Sequence, residues 1–303
     1  MSAVEAPAAA GTPVAAPSKA PRRRERRSRS ALILGGFTWL VILYTLVPII
    51  VMIIFSFNQT PNGRVTFHWY GATTQWYVHI FEISDLTTAL VHSIEVACAS
   101  TLISILIGVP MAMALARHRF LGRAAVESVV FVDIAAPSVV VGASLLALFL
   151  TLNVTRGLAT IMIAHVAFNV AFVVVVVRAR IAGLDRSIER AAADLGASPW
   201  VTFQKVLLPL MLPGIVAAAL LCFAMSIDDF IITQFVAGQT LTFPLWVYGA
   251  VKVGIPPQVF VMGTMIFLFG AVLAIGNVFF QRRSEKAAAP IQVAEPQPIT
   301  TVL

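Results

Sequence analysis

Long apolar runs separated by short polar stretches dominate the pattern of this chain. Each run is long enough for a helix that crosses the hydrocarbon core of a bilayer, which takes roughly 20 residues. A soluble protein of this length would not bury six such helices, so the pattern predicts an all-α polytopic membrane protein with six transmembrane helices. The six runs cover about residues 31–57, 87–116, 124–151, 158–177, 207–235 and 258–281.

Composition supports the membrane assignment. Hydrophobic residues make up 59% of the chain and charged residues 12%, whereas soluble domains are roughly half apolar and one-quarter charged. The sequence therefore predicts one six-helix transmembrane domain over about residues 31–281. The Ala/Pro-rich segments 1–30 and 282–303 are expected to be disordered, and the first of these carries an arginine run that anionic lipid headgroups would attract.

The stretch Glu189–Pro209 is a polar island between the fourth and fifth apolar runs. Ala192 and Gly196 are four residues apart, which would place both on one helix face and let another surface approach the backbone closely. Ser198 followed by a proline is typical of a helix cap and first turn. We therefore predict a helix–turn–helix element that projects from the membrane and is held by another protein.

This element resembles the coupling loop of ATP-binding-cassette (ABC) importer permeases, whose pattern is Glu-Ala-Ala, then Gly, then Ile-x-Leu-Pro. The matching residues are Ala191, Ala192, Gly196, Val206, Leu208 and Pro209. The family Glu falls on Arg190 here, and the nearest Glu is Glu189, so the resemblance assigns no specific ion pair to that position. It implies that the loop, about residues 182–207, docks onto a separate ATPase through Glu189, Ala191, Ala192, Asp194, Gly196 and Pro209.

Basic residues are distributed unevenly between the two sides of the predicted helices. With the N-terminus inside, the inner side receives 18 of the 21 Lys and Arg residues, and the outer side receives Arg64, Arg156 and Lys252. The positive-inside rule then predicts cytoplasmic N- and C-termini, and it places the polar island where an ATPase can reach it. Since residues 1–30 account for +5 of the net charge of +7, the body of the protein is not expected to bind nucleic acid.

Two adjacent carboxylates, Asp228 and Asp229, lie inside or at the edge of the apolar span within the fifth run. Charged groups at membrane depth are costly and usually face a water-filled path or a partner. Successive helix positions point about 100° apart, so one carboxylate can contact a substrate while the other accepts a hydrogen bond from a neighbouring helix. The alternative is that both lie in water at the outer interface.

Other polar residues within the runs leave alternatives open. Asp133 in the third run either adds negative potential to a cation path or pairs with a helix of a partner subunit. His165 and Asn169 share a helix face, and hydrogen bonding to a neighbouring helix is the expected role of such a pair. Gly108–Pro110 and Ala135–Pro137 are predicted bends.

Aromatic residues are frequent in the loop after the first run. The pairs Trp69-Tyr70 and Trp76-Tyr77 repeat at a spacing of seven, which would place them on one side of an interfacial helix, either as a headgroup belt or in contact with substrate. This loop, together with the sequences at 226–238 and 243–259, resembles permease subunits of spermidine/putrescine importers. The resemblance covers roughly residues 40–280.

The resemblance to polyamine permeases implies a complete import system in the bacterial inner membrane. The chain would form the path with a second, related permease, and would act with two ATPase copies and an extracytoplasmic polyamine-binding protein. It is expected to bind no cofactor or metal and to be no enzyme: no Walker-type glycine loop occurs in it, so ATP and Mg²⁺ belong to the ATPase. For a flexible polycation, carboxylates and aromatic rings are the expected lining, here Asp228, Asp229, Trp246, Tyr248 and Asp133.

Three other functions compete with a polyamine permease. An ABC permease for another solute, such as an iron, phosphonate or amino-acid-derived compound, would keep the same loop. A secondary transporter driven by an ion gradient would make the polar island incidental. An intramembrane enzyme ranks last, because the sequence supplies neither a nucleophile–base pair nor a metal triad.

Overall fold

The computed structural model describes the backbone of residues 29–287 and the side chains of residues 33–279, and its regular structure is helical. The only β-bridge among the described residues joins Asn58 and Ala72 in antiparallel fashion. The predicted all-α class is thus confirmed. The helices are α1 (Arg29–Phe55), α2 (Gln75–Val78), α3 (Ser84–Arg117), α4 (Arg123–Ala135), α5 (Ser138–Thr151), α6 (Leu158–Ala182), α7 (Ser187–Asp194), α8 (Pro199–Thr202), α9 (Leu208–Asp228), α10 (Ile231–Val236), α11 (Phe243–Val253) and α12 (Pro257–Ala287).

The predicted membrane spans correspond to the long helices. Five helical segments are long and apolar enough to cross a membrane, and the bent pair α4–α5 makes a sixth if it is counted as one span. The helix α12 continues to Ala287, beyond the predicted end of the last run at 281. The rest of the two predicted disordered tails, residues 1–28 and 288–303, lies outside the described residues.

The chain divides into two compact units, with the boundary inside α1 after Ile49. Within the described residues, the first unit is the part of α1 before that boundary, an apolar helix that contains Pro48. The second unit begins at Ile50, and the cores and sites described below all lie within it.

The main core of the second unit lies between α3, α6 and α9. Ala112, Val177 and Met211 are almost completely buried there. A side chain added at Gly108 would bring a Cβ within 2.7 Å of the Val173 Cβ, so the glycine lets α3 and α6 pack closely. The predicted bend at Gly108–Pro110 does not interrupt α3, which is one continuous helix.

The third run is bent rather than straight, which corrects the expectation of one helix over 124–151. The helices α4 and α5 meet at an angle of 111°. The cause is Pro137, because a proline disfavours helical backbone at the preceding residue, and Ala136 is accordingly extended with φ −70° and ψ 133°. The predicted bend at Ala135–Pro137 is confirmed, and it places Asp133 in the last turn of α4.

The fifth run also differs from one continuous helix. A π-helical turn over Phe203–Leu207 joins α8 to α9. This wider turn adapts the chain to Pro209, which has no N–H to donate and whose ring would clash with the carbonyl four residues earlier in an α-helix. At the other end, α9 stops at Asp228 and α10 starts at Ile231, with Asp229 extended between them.

The aromatic loop after α1 does not form the predicted interfacial helix. Only Gln75–Val78 is helical, and Trp69 and Tyr70 lie on non-helical backbone. The Trp76 indole instead donates to the Asn58 carbonyl at 2.9 Å. The Asn58 side chain is buried and bonds the backbone of the loop at two further points. Local hydrogen bonds, and not a helical repeat, therefore organise this loop.

Candidate functional sites

A cavity of about 540 Å³ lies where the α4–α5 bend faces α6 and the junction of α9 with α10. It is lined by three carboxylates, Asp133, Asp228 and Asp229, together with aromatic and aliphatic side chains. The bend at Pro137 and the break after Asp228 bring the ends of two separate helices to the same place. Asp133 and the aspartate pair, which are about 95 residues apart in the chain, thus share one cavity.

The two adjacent aspartates have different surroundings. Asp229 is only 12% exposed in its side chain, and one of its oxygens, Oδ2, accepts from both the backbone N–H and the hydroxyl of Thr233, at 2.8 and 2.7 Å. Asp228 is exposed, and within residues 33–279 its carboxylate has neither an ion pair nor a hydrogen bond to a side chain. The sequence argument expected such a division, with one carboxylate held by the protein and the other free.

A buried chain of polar side chains continues from Asp229 into the helix core. Thr233 contacts His165 Nε2 at 2.9 Å, and His165 Nδ1 contacts the Ser226 hydroxyl at 2.9 Å. The same hydroxyl is joined by the Asn169 amide at 3.1 Å and by the Ser100 hydroxyl at 2.9 Å. The expected interhelical hydrogen bonding of His165 and Asn169 is therefore confirmed, since Ser226 is on α9 and both partners are on α6.

The two aromatic residues expected in the path lie in different places. The Tyr248 ring packs at a tilt of 45° against Phe230, with 4.8 Å between the ring centroids, and Phe230 lines the carboxylate cavity. Lys252 Nζ lies 5.4 Å from the centroid of the same Tyr248 ring. Trp246 packs against the cluster that contains Leu86 and lines a separate cavity of about 450 Å³. The structure therefore does not bring Trp246 to the three carboxylates.

Sequence reasoning missed the aromatic residues that do line the carboxylate cavity. They are Phe168, Phe172 and Phe230. Phe168 and Phe172 follow His165 at spacings of three and seven, which keeps them near one helix face. The signal was present in the sequence, but an apolar residue in an apolar run does not reveal whether it faces a cavity or lipid.

The polar island forms two short helices joined by a tight turn. The helix α7 ends at Asp194, and Gly196, two residues later, has a left-handed φ of +80°. The Gly196 N–H donates to the Ala193 carbonyl at 2.9 Å, and the Ala197 N–H donates to the Ala192 carbonyl at 3.0 Å. This is a Schellman C-cap. The expectation that Ala192 and Gly196 share a helix face is therefore wrong, because Gly196 lies beyond the end of α7 and is required there by its left-handed backbone conformation.

The second helix of the island begins as predicted. The Ser198 hydroxyl accepts from the Val201 N–H at 3.4 Å, and Pro199 occupies the first turn of α8. Of the residues implied in ATPase coupling, Ala191, Asp194, Gly196 and Pro209 are exposed, Ala192 is half-buried and Glu189 is half-buried. A docking partner can therefore reach most of them directly.

Glu189 faces the permease itself. Its Oε1 lies 2.8 Å from Arg117 Nε at the end of α3, and the same guanidinium donates to the Leu184 carbonyl at 3.2 Å. Arg186, the residue immediately before α7, donates to the Ala116 carbonyl at 3.2 Å. Two arginines thus tie the island to the end of α3, and Glu189 is part of that attachment.

Large apolar side chains are exposed on the island. Leu195 is 89% exposed and Trp200 is 63% exposed, with Ile188 and Val201 less so. Leu195 and Trp200 lie between the predicted apolar runs 158–177 and 207–235, and therefore outside the predicted membrane spans. Exposed apolar groups of this size are typical of an interaction surface.

Comparison with known proteins places the chain in a family. The family described as "Binding-protein-dependent transport system inner membrane component" matches residues 104–286. The spermidine/putrescine transport system permease protein PotC of Escherichia coli (strain K12) is 36% identical over 256 residues, which cover 84% of this chain and 96% of that protein. The putrescine transport system permease protein PotI of the same strain is 36% identical over 269 residues, or 85% of this chain and 92% of PotI.

The fold agrees with solved transporter structures. A chain from the crystal structure of a bacterial ABC transporter that imports the acidic polysaccharide alginate matches with a TM-score of 0.60 and 18% identity, covering 89% of this chain and 99% of that one. This confirms the predicted permease fold, and the sequence matches confirm the predicted resemblance. The chain belongs to the family of inner-membrane components of binding-protein-dependent transport systems.

Proposed function

We propose that this chain is a permease subunit of an ATP-driven importer for polyamines such as spermidine and putrescine. The observation that carries the proposal is the cavity in which Asp133, Asp228 and Asp229 meet aromatic side chains. The sequence similarity to PotC and PotI points to the same class of cargo.

The chemistry of the cavity suits a flexible polycation. Carboxylates attract ammonium groups, and the attraction between close unit charges is of order a few kcal/mol at partly screened sites. Phe168, Phe172 and Phe230 supply ring faces, which attract cations and contact the methylene segments between ammonium groups. Asp228 is the principal contact, because its carboxylate is not committed to the protein as that of Asp229 is.

The energy for transport comes from a separate ATPase that binds the polar island, residues Glu189–Pro209, between α6 and α9. Leu195 and Trp200 are the apolar contacts on that surface, and Ala191 and Asp194 lie beside them. A second permease subunit completes the path, and an extracytoplasmic binding protein delivers the polyamine. Nucleotide binding and hydrolysis in the ATPase pair shift the two permeases between outward-open and inward-open states, each of which nucleotide favours differently.

Uptake by cells tests the cargo. Cells with and without the gene are given labelled spermidine or putrescine, and the proposal expects gene-dependent uptake of at least one of them. Normal uptake by an Asp228→Asn, Asp229→Asn double variant would contradict the polyamine path. Uptake of a different solute alone would make the chain a permease for that solute, and uptake that follows an ion gradient without an ATPase would make it a secondary transporter.

Assembly of the complex tests the ATPase contact. Leu195→Asp and Trp200→Asp should each reduce co-purification of the ATPase with the permease. The matched control is Leu121→Asp, because Leu121 is also fully exposed and lies on the turn between α3 and α4, on the same predicted side of the membrane. If the three variants retain the ATPase equally, the island is not the docking surface.

A further inference from the structure

We propose that His165 is a positioning residue for the carboxylate cavity: it orients Asp229, both through Thr233 and by its own Nε2, which lies 3.5 Å from Asp229 Oδ2, and so leaves Asp228 as the free carboxylate. His165 does not line the cavity itself. It is 1% exposed and lies behind the α9–α10 junction. The expected effect of His165 on uptake rests on the polyamine function proposed above, whereas the hydrogen-bond arrangement does not.

The direction of the hydrogen bonds follows from counting donors. An ionised carboxylate only accepts, so the Thr233 hydroxyl donates its single hydrogen to Asp229. The Thr233 oxygen must then accept from His165, which places a hydrogen on Nε2. In a neutral imidazole the other nitrogen is an acceptor, so the Ser226 hydroxyl donates to Nδ1.

The same count extends to the far end of the chain of bonds. With its hydrogen directed to His165, the Ser226 oxygen accepts from the Asn169 amide and from the Ser100 hydroxyl. Every bond now points the same way, from α3 and α6 through α9 and His165 to Asp229. Of the two neutral tautomers of His165, the one with hydrogen on Nε2 satisfies the whole arrangement.

These bonds join four separate helices. Ser100 is on α3, His165 on α6, Ser226 on α9 and Thr233 on α10, so four helices meet at one buried polar group. Asp229 itself is in extended backbone between α9 and α10. Its side chain is held by the first turns of α10, and α10 is in turn held by His165.

Without the imidazole, the Asp229 side chain would no longer be held in place and could move relative to Asp228. Thr233 and Ser226 are 0% and 4% exposed, and buried hydroxyls that lose a partner are costly. A reoriented α10 start would move Asp229 relative to Asp228, and two free carboxylates on adjacent residues repel each other. Glutamine can replace the histidine in this respect, because its amide supplies one donor and one acceptor.

The tautomer is a spectroscopic signature that does not depend on the cargo. The complex is assembled with ¹⁵N-histidine in this chain, and the His165 signals are identified by their loss in His165→Gln. At pH 7.5 we expect a neutral ring with hydrogen on Nε2, from the ¹⁵N chemical shifts of the two ring nitrogens. A ring with hydrogen on Nδ1, or on both nitrogens, would overturn the assigned direction.

Uptake variants test the positioning role. His165→Leu should lower the initial rate of labelled spermidine uptake per assembled complex by about tenfold, or about 1.4 kcal/mol, because a buried hydrogen-bond partner of Thr233 and Ser226 is removed. His165→Gln should recover most of that rate. In an Asp229→Asn background, His165→Leu should cause little further loss, because both changes act on the same carboxylate.

A matched control separates positioning from general packing. Thr160 is also buried on α6, and its hydroxyl donates to the Val236 carbonyl at the other end of α10 at 2.8 Å. Thr160→Val therefore removes an α6–α10 contact that does not reach Asp229. The proposal is overturned if Thr160→Val loses as much uptake as His165→Leu. It is also overturned if the uptake lost by the double variant of His165→Leu and Asp229→Asn equals the product of the two single losses.

The experiment also distinguishes failure of the inference from failure of the proposed function. If wild-type protein takes up polyamine and Asp228→Asn impairs it while His165→Leu does not, the positioning role is wrong and the polyamine path stands. If wild-type protein takes up no polyamine, the proposed cargo is wrong, and the tautomer measurement still decides the hydrogen-bond arrangement.

Discussion

Arg117 Nε lies 2.8 Å from Glu189 Oε1, and this ion pair joins the end of α3 to the first turns of α7. The arginine is 9% exposed in its side chain and the glutamate 28%, so water screens the pair less than it screens a surface pair. The polar island is thereby attached to the same helix that carries Ser100 to the carboxylate site. Through this ion pair, a movement of the island would act directly on α3.

Removing either partner of this pair should loosen the island. Arg117→Gln or Glu189→Gln should lower the thermal midpoint of the purified complex and reduce ATP-driven uptake, because removing one partner leaves the other charge of a partly buried ion pair uncompensated. The exchanged pair Arg117→Glu, Glu189→Arg should recover part of both. Arg190→Gln is the control, since Arg190 is exposed and has no ion pair among the described residues; an equal loss there would show that the ion pair is unimportant.

The two adjacent aspartates should differ in what their substitution does. Asp228→Asn should reduce polyamine uptake by tens-fold, in line with a Coulomb attraction of a few kcal/mol, while the thermal midpoint stays at the wild-type value. Asp229→Asn should lower the thermal midpoint as well, because an amide replaces a carboxylate that accepts two bonds from Thr233. Identical effects of the two substitutions on stability would contradict the division between a free and a held carboxylate.

Asp133→Asn provides an internal comparison for the same cavity. Asp133 lines the cavity from α4, so its amide variant should reduce uptake in the same direction as Asp228→Asn. A larger effect at Asp133 would move the main contact to α4. An unchanged rate would show that Asp133 does not face the cation.

Gly196 should not tolerate any side chain, whether or not a partner is bound. Its φ of +80° is a left-handed conformation that costs an L-residue about 1–2 kcal/mol. Gly196→Ala should therefore increase proteolysis within the island of the purified protein. Gly183→Ala is the control, because Gly183 ends α6 with an ordinary φ of −80°. Equal proteolysis of the two variants would mean that the C-cap does not hold the turn.

Gly108→Ala should destabilise the α3–α6 core. The new Cβ would lie 2.7 Å from the Val173 Cβ, and overpacking of this kind costs about 1–3 kcal/mol. Val173→Ala in the same chain removes the Cγ1 atom, which also lies 2.7 Å from the new Cβ, but keeps the Val173 Cβ, so it should restore only part of the thermal midpoint. Gly270→Ala in α12 is the matched control, since a Cβ there meets nothing within 4 Å, and it should not lower the midpoint.

The orientation predicted from the basic residues can be tested directly. A fluorescent reporter that is active only in the cytoplasm, fused after Leu303, should be bright, because the positive-inside rule places the C-terminus inside. A cysteine placed at Arg64 should react with a membrane-impermeant reagent added outside. A dark C-terminal fusion combined with an unreactive residue 64 would reverse the orientation and remove the island from reach of an ATPase.

The sequence by itself determined the features that depend on local chemistry. The apolar runs predicted the spans, because each helix must satisfy its backbone within the bilayer. Pro137 predicted the α4–α5 bend and Ser198 the start of α8, since each acts on its own neighbours along the chain. The charges of Asp228 and Asp229 marked a candidate site for the same reason: an ionised group near an apolar span is costly wherever the helix is placed.

Only the tertiary structure decided which of these residues meet. The cavity joins Asp133 to the aspartate pair because α4 and α9 end at the same place, and no local pattern records that. Trp246 was misplaced and Phe230 was missed, since an aromatic residue in an apolar run contacts a cavity or a core according to its neighbours. The pairing of Glu189 with Arg117, and of His165 with Thr233, depends on the packing of separate helices, which is set by the shapes of many side chains at once.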